Sequence, residues 1–191
     1  MLLDPHYPIE TERLRLRPFT RGDVDAVFAY RSLEDVARYQ FDHPLSREEC
    51  ALAVQQRVAQ TRLEGEGDQL VLAVETRDAD VLVGEVSLIW RSEEARQGEL
   101  GWILHPNYQG RGYAREAVAA VLELAFHQAD LHRVYARCDG RNEPSWRLME
   151  RLGMRREAHF HEHAIFKGGW DDEMYYALLR REGLALKHDG Q

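Results

Sequence analysis

A mixed α/β fold with a mostly antiparallel sheet is predicted by three features of the sequence. Short β-rich runs are joined by turns of hairpin length, one long helix is inserted between two such runs, and the chain ends on a further hairpin. Read in order, the elements run β-α-α-β-β-β-α-β-α-β-β, giving about seven strands flanked by about four helices. Helices separate some strands and direct hairpins join others, so antiparallel pairs are expected early and at least one parallel pair across the long helix. That order excludes a doubly wound Rossmann sheet.

The first strand is Arg13-Leu14-Arg15-Leu16-Arg17, where apolar and charged residues alternate with period 2 until Pro18 ends the run. Thr20 or Asp23 can cap a helix whose Val24, Val27, Phe28 and Arg31 fall at helical spacing. A second helix is expected from Ser46 to about Leu63, opened by the capping-box pair Ser46 and Glu49. Gln69 to Glu75 and Val81 to Trp90 are rich in β-branched and apolar residues, and a polar turn, Thr76 to Asp80, separates them. Glu99 to Leu104 forms the next strand. After Gly112, Ala114, Val118, Val121, Leu122 and Ala125 recur at i, i+4, i+7, i+8 and i+11, one apolar stripe on a long helix. Arg133 to Cys138 is a short strand and Pro144 to Leu152 a helix closed by Gly153. The rest reads as a hairpin turning at Lys167-Gly168-Gly169.

The chain has 191 residues and a formal charge of −8, with no repeat or linker, so a single domain over 1–191 is expected. No apolar run approaches the roughly 20 residues that cross a bilayer. The N-terminus lacks the basic, apolar, small-residue order of a secretory signal, which predicts a cytoplasmic protein. The acidic balance disfavours binding to nucleic acid phosphates and mildly favours cationic partners such as amines. Cys50 and Cys138 are too far apart in sequence for a metal-type pair, and both read as ordinary thiols.

The most informative segment is Gln109-Gly110-Arg111-Gly112-Tyr113-Ala114, between the end of a strand and the start of the long helix. Small residues admit a ligand close to the backbone, and the free amides at a helix N-terminus suit a pyrophosphate. Arg111 and Arg115 can add charge. A Gly-rich turn without a ligand is the alternative. Arg115 occupies the place where a Rossmann fingerprint needs a third small residue, and the Gly-Lys-Ser/Thr of a P-loop is missing.

The segment does match Gln/Arg-x-x-Gly-x-Gly/Ala at Gln109, Gly112 and Ala114, and it thereby resembles the acetyl-CoA motif of the GNAT superfamily. Three further segments resemble the branch typified by ribosomal-protein N-terminal (alanine) acetyltransferases: Thr11 to Arg17, Asn142-Glu143-Pro144-Ser145 with Leu152-Gly153-Met154, and Lys167 to Asp172. The resemblance implies an acetyl-CoA-dependent N-acetyltransferase acting on a protein N-terminus or a small-molecule amine, by direct attack. It implies that the backbone of Trp102, Ile103 and Leu104 binds the pantetheine arm and that Gln109, Gly110, Arg111, Gly112, Tyr113, Ala114 and Arg115 hold the pyrophosphate. Asn142 would hydrogen-bond the cofactor arm, and the strands ending at Leu104 and Cys138 would splay apart to admit it. Homodimerisation is also implied.

The chemistry needs an amine made neutral and a proton donor for the departing thiolate. Glu99 is the first candidate for deprotonation, through a water if distant, with a solvated strand carboxylate as its alternative role. Glu85 is the second, with an edge-facing charge as its alternative. Many relatives carry a Tyr as general acid seven residues after the Asn, but here Met149 stands there and cannot donate a proton. Ser145 becomes the candidate acid, with helix capping as its alternative.

His159, His161 and His163 alternate along one strand and should share a face, spaced roughly 7 Å apart, too far to converge on an ion unaided. A polar, substrate-side face is expected, with metal binding the lesser alternative, and no metal is assigned. No Gly-x-Ser-x-Gly elbow is present, which argues against a Ser hydrolase. A non-catalytic acyl-CoA sensor is the main competing function, and a nucleic-acid module is disfavoured by charge.

Overall fold

The computed structural model describes residues 3–40 and 42–183, so the two ends of the expected 1–191 domain lie outside the described residues. Among the described residues, eight strands form one sheet in the order β1-β2-β3-β4-β5-β6-β8-β7. These are β1 (Ile9–Glu10), β2 (Leu14–Pro18), β3 (Gln69–Thr76), β4 (Leu82–Ser92), β5 (Gln97–Leu104), β6 (Arg133–Asp139), β7 (Arg155–Phe166) and β8 (Gly169–Leu179). Every pairing is antiparallel except β5 with β6, the parallel pair expected across the long helix.

The period-2 pattern places Leu14 and Leu16 of β2 on the same face as Leu70 and Leu72 of β3, Leu88 of β4 and Val134 of β6. The long helix, α4 (Tyr113–Glu123), covers that face with Val118, Val121 and Leu122. Fully burying each such Leu or Val stabilises the fold by about 1.5–3 kcal/mol. A wide π-helical turn, Leu124–Gln128, carries the apolar stripe on to the buried Ala125. On the opposite face, Val71 and Ala73 pack beneath α1 (Val24–Arg31) and α3 (Arg47–Arg57) through Val27, Tyr30, Cys50 and Val54.

Several boundaries differ from the sequence expectation. α3 stops at Arg57 rather than near Leu63, because the chain tightens through Ala59 and Gln60 and then extends. Leu63 pairs with Leu3 and is buried beside it. The capping box is formed: Ser46 Oγ accepts the Glu49 N–H, and the Glu49 carboxylate accepts the Ser46 N–H. The short β1 and α2 (Glu34–Ala37) were not anticipated, since two and four residues carry no readable period. α5 spans Glu143–Arg151. The last hairpin turns on two residues, Lys167 and Gly168, both with positive φ, so Gly169 opens β8 instead of completing the turn.

Candidate active site

β5 and β6 stay paired for only three positions, Gln97 with Arg133, Gly98 with Val134 and Glu99 with Tyr135. Beyond that fork each strand follows its other neighbour: β5 remains on β4 as far as Leu104, and β6 remains on β8 as far as Asp139. The inner edges therefore diverge, and backbone groups along residues 101–104 lose a sheet partner on that side. Such an edge offers amide and carbonyl groups to an extended ligand. A cleft of about 500 Å³ occupies the opening, and Trp102, Ile103 and Leu104 line it.

At the far end of this cleft lies the glycine loop. Gly110 and Gly112 have φ of 73° and 82°, a left-handed conformation that side chains resist, and Gly112 caps α4. The first intrahelical bond runs from the Glu116 N–H to the Gly112 carbonyl, which leaves the amides of Tyr113, Ala114 and Arg115 open at the positive end of the helix. Gln109, Gly110, Gly112, Tyr113, Ala114 and Arg115 all line the cleft. Gln109 donates from Nε2 to the Leu104 carbonyl at 3.1 Å, tying the loop to the end of β5. Arg111 does not line it; its guanidinium lies over the Tyr108 ring, 5.4 Å from the centroid. Glu116 anchors the loop from behind, accepting from the Thr11 hydroxyl at 2.6 Å and from the Arg13 N–H and Nε at 2.7 Å each.

The cleft continues into a smaller, more polar one of about 280 Å³, with Tyr39, Gln40, Trp102, Ile103, Asn142 and Ser145 lining both. Glu99 and Glu85 lie in this second part. Glu99, at the vertex of the fork, accepts from Arg91 Nε (2.7 Å), Arg137 Nε (3.0 Å) and the Tyr135 hydroxyl (3.1 Å). Burial works to raise its carboxyl, but the hydrogen bonds from Arg137 and Arg91 outweigh it and hold it below the ordinary glutamate range. Glu85 is buried on a central strand rather than facing an edge, and accepts from the Tyr30 hydroxyl at 2.9 Å and Arg57 at 2.8 Å.

The N-terminus of α5 closes the junction. The Asn142 carbonyl accepts the Ser145 N–H, so Asn142 caps the helix through its backbone. Ser145 sits half-buried in the first turn, between the two clefts.

The profile described as Acetyltransferase (GNAT) domain matches residues 13–155. The chain belongs to the GNAT acetyltransferase family. It is 38% identical over 176 residues to the uncharacterized N-acetyltransferase YnaD of Bacillus subtilis, covering 91% of this chain and 98% of YnaD. A GNAT-family acetyltransferase from Bacillus anthracis superposes with a TM-score of 0.82 at 34% identity, over 91% of this chain and 99% of that one. The spermidine N(1)-acetyltransferase of Vibrio cholerae is 25% identical over 172 residues, 90% of this chain and 96% of the relative.

Within this GNAT site, Met149 of α5 is fully buried in the core, at the position where the resemblance led one to look for a Tyr. Tyr39, Gln40, Arg31 and Ser87 line the polar cleft and were missed in the sequence: Tyr39 and Gln40 follow α2 in a segment with no motif, and only the fold brings Arg31 at the end of α1 and Ser87 of β4 beside them. Cys138 also lines the polar cleft. Burial, with Asp139 and Glu173 nearby, pushes its thiol up to about 12, so it is inert at neutral pH.

The three histidines do not share a face. β7 pairs Phe160 with Glu173 and then Ala164 with Asp171, so His161, Glu162 and His163 stand opposite Asp172 alone. Glu162 takes a positive φ of 47° in this bulge. His159 and His161 both reach Asp172, whereas His163 turns to Asp171 and Glu173 on the other side of the hairpin.

Proposed function

We propose that the chain transfers the acetyl group of acetyl-CoA to a primary amine by direct attack, as the GNAT resemblance implies. The observation that carries this is the fork between β5 and β6, which opens onto the amides at the start of α4 and narrows to the polar cleft at Glu99. The pyrophosphate lies on the amides of residues 113–115, with Arg115 adding charge, and the pantetheine arm pairs with the free edge at Trp102 to Leu104. Asn142 holds the arm from the other wall. The thioester then reaches the junction: as the amine nitrogen bonds the thioester carbon and the C–S bond breaks, the Ser145 hydroxyl protonates the departing thiolate and is reprotonated by water carrying the proton that the nitrogen sheds.

The acceptor enters the smaller cleft between Tyr39, Gln40 and Glu85. A lysine-like ammonium ionises near 10, so giving its proton to a carboxylate held below 4.5 costs more than about 7 kcal/mol. Glu99 therefore orients the acceptor, the attacking species is the fraction of amine already neutral, and the proton shed after attack leaves through water. The rate should follow the ionisation of the amine itself as pH rises. A small polyamine and a peptide N-terminus both present a primary amine, the latter ionising at about 8 and so neutral in larger part at pH 7. The spermidine acetyltransferase relative favours testing the former first, and the ribosomal N-terminal motifs favour the latter.

The test is calorimetric titration with acetyl-CoA beside an Ala114→Glu variant, followed by thiol-release assays across polyamines and peptides, in wild type and Ser145→Ala. Glu is tolerated in the first turn of a helix, and because Ala114 also packs against the core, circular dichroism checks that the variant keeps its fold while it sets charge against the pyrophosphate. Saturable binding lost in Ala114→Glu supports the cofactor site. Loss of kcat by about 100-fold in Ser145→Ala at unchanged KM supports its role as acid. Binding without turnover of any amine would make the chain an acyl-CoA sensor, and no binding at millimolar cofactor would end the proposal.

A further inference from the structure

We propose that His159, His161 and Asp172 form a binding site for a divalent transition-metal ion, with Zn²⁺ the expected occupant. One donor atom from each residue lies within 4.8 Å of the others. Asp172 Oδ2 is 2.9 Å from His161 Nδ1 and 3.3 Å from His159 Nε2. Tetrahedral zinc with bonds of about 2.0–2.1 Å sets its ligand atoms about 3.3 Å apart, so the 3.3 Å contact matches an edge of a coordination tetrahedron and the 2.9 Å contact lies close to one. A regular strand would forbid this. The β7 bulge, by setting three residues opposite one, carries His161 over Asp172 next to His159, with ring centroids 3.9 Å apart.

The surroundings favour an ion over a simple ion pair. Asp172 Oδ1 accepts the Glu162 N–H at 3.1 Å, which fixes the carboxylate and leaves Oδ2 facing the imidazoles, the kind of outer support that metal ligands require. A His161–Asp172 pair would satisfy that histidine alone. His159 Nε2 is shut away from solvent and makes no hydrogen bond, although Asp172 lies 3.3 Å off. Two protonated imidazoles this close would repel, whereas two neutral ones can direct lone pairs at one cation. Gly140 faces the cluster without a side chain, since a Cβ there would come within 3.4 Å of His159 Nε2. Two imidazoles and one carboxylate suit Zn²⁺, Co²⁺, Ni²⁺ or Cu²⁺ and not Mg²⁺ or Ca²⁺, and water completes the set.

The test is titration of the tag-free full chain with Zn²⁺ by calorimetry, and with Co²⁺ by visible absorption, in the absence of acetyl-CoA. One Zn²⁺ per chain at about micromolar affinity, with an intense low-symmetry Co²⁺ spectrum, is expected. His161 is exposed, so His161→Ala should fold as wild type by circular dichroism and weaken binding by about 100-fold. His159→Gln should do the same, and His163→Ala should leave affinity within about threefold. Absence of saturable binding up to about 1 mM Zn²⁺, or binding unchanged in both His161→Ala and His159→Gln, overturns the site.

Discussion

Gly84 sits on β4 opposite Leu104, at the end of β5. A Cβ added there would stand 2.2 Å from the Ile103 carbonyl oxygen, 3.0 Å from Leu104 Cα and 3.1 Å from the Ile103 carbonyl carbon. All three are backbone atoms, so no rotamer relieves the overlap. To restore ordinary contact the two strands must separate by about 1 Å at this point, in a sheet packed on both faces. Overpacking of this kind costs about 1–3 kcal/mol, and more where backbone must move. For a chain of this size each kcal/mol is worth about 2–4 °C, so Gly84→Ala should melt about 2–12 °C below wild type. The displaced segment is the one proposed to carry pantetheine, so acetyl-CoA affinity should fall with stability. Gly101→Ala is the control, because its Cβ would meet only Ser87 Oγ, at 2.8 Å, and a hydroxyl can rotate away. The assay is thermal unfolding by circular dichroism with acetyl-CoA calorimetry well below the melting temperature. A Gly84→Ala variant that melts within about 1 °C of wild type and binds equally would refute the reasoning.

Glu116 yields a pH prediction. Burial works to raise its carboxyl, but hydrogen bonds from Thr11 and Arg13 outweigh it and hold it below the ordinary value of 4.5. As acid is added the unfolded chain therefore takes up the proton first, so this contribution is complete above pH 4.5 and is lost as pH falls through the native value. Glu116→Gln should cost about 1–2 kcal/mol at pH 7, discounted for the half-exposed Arg13, and the gap to wild type in urea unfolding should narrow below about pH 4.5. Cys138, with its thiol pushed up to about 12, should carry thiolate at only about 1 part in 10⁵ at pH 7. Mass spectrometry after iodoacetamide should show Cys138 unlabelled in the native chain and labelled in denaturant, and rapid native labelling would contradict the burial.

The regular parts of this fold were legible because their patterns were long. The stripe from Ala114 to Ala125 and the alternation from Arg13 to Arg17 each set a face, and the order of hairpins and helices located the parallel pair. What escaped depends on contacts distant in sequence. Nothing near Leu63 announces that it will bridge to Leu3, so an apolar residue at helical spacing was read as helix. Tyr39 and Gln40 reach the cleft only because the segment after α1 folds across the sheet. The histidines were misread for a sharper reason: period 2 puts alternate residues on one face only while the ladder is regular. At Glu162 the backbone enters positive φ, the count is broken, and His163 changes sides.

Glu99 shows where the candidate site was both legible and incomplete. Its place on the strand ending at Leu104 followed from the sequence, but its partners did not, since Arg137 and Tyr135 come from β6 and Arg91 from beyond the middle of β4. Those partners change its chemistry. A lone carboxylate in a cleft would be raised by burial toward the range useful to a general base, whereas two guanidinium groups draw it the other way. Met149, packed into the core, removes the other proton-transfer group expected of the family. On the mechanism proposed, with Glu99 too acidic to be an effective base and Ser145 as the acid, acceleration comes chiefly from holding thioester and neutral amine together at the fork, a source that can supply about 7–11 kcal/mol when geometry is well set. Glu99→Gln should then lower kcat/KM without abolishing the rise of rate with pH. A rate that levels at neutral pH in wild type and becomes pH-independent in Glu99→Gln would restore Glu99 as the base.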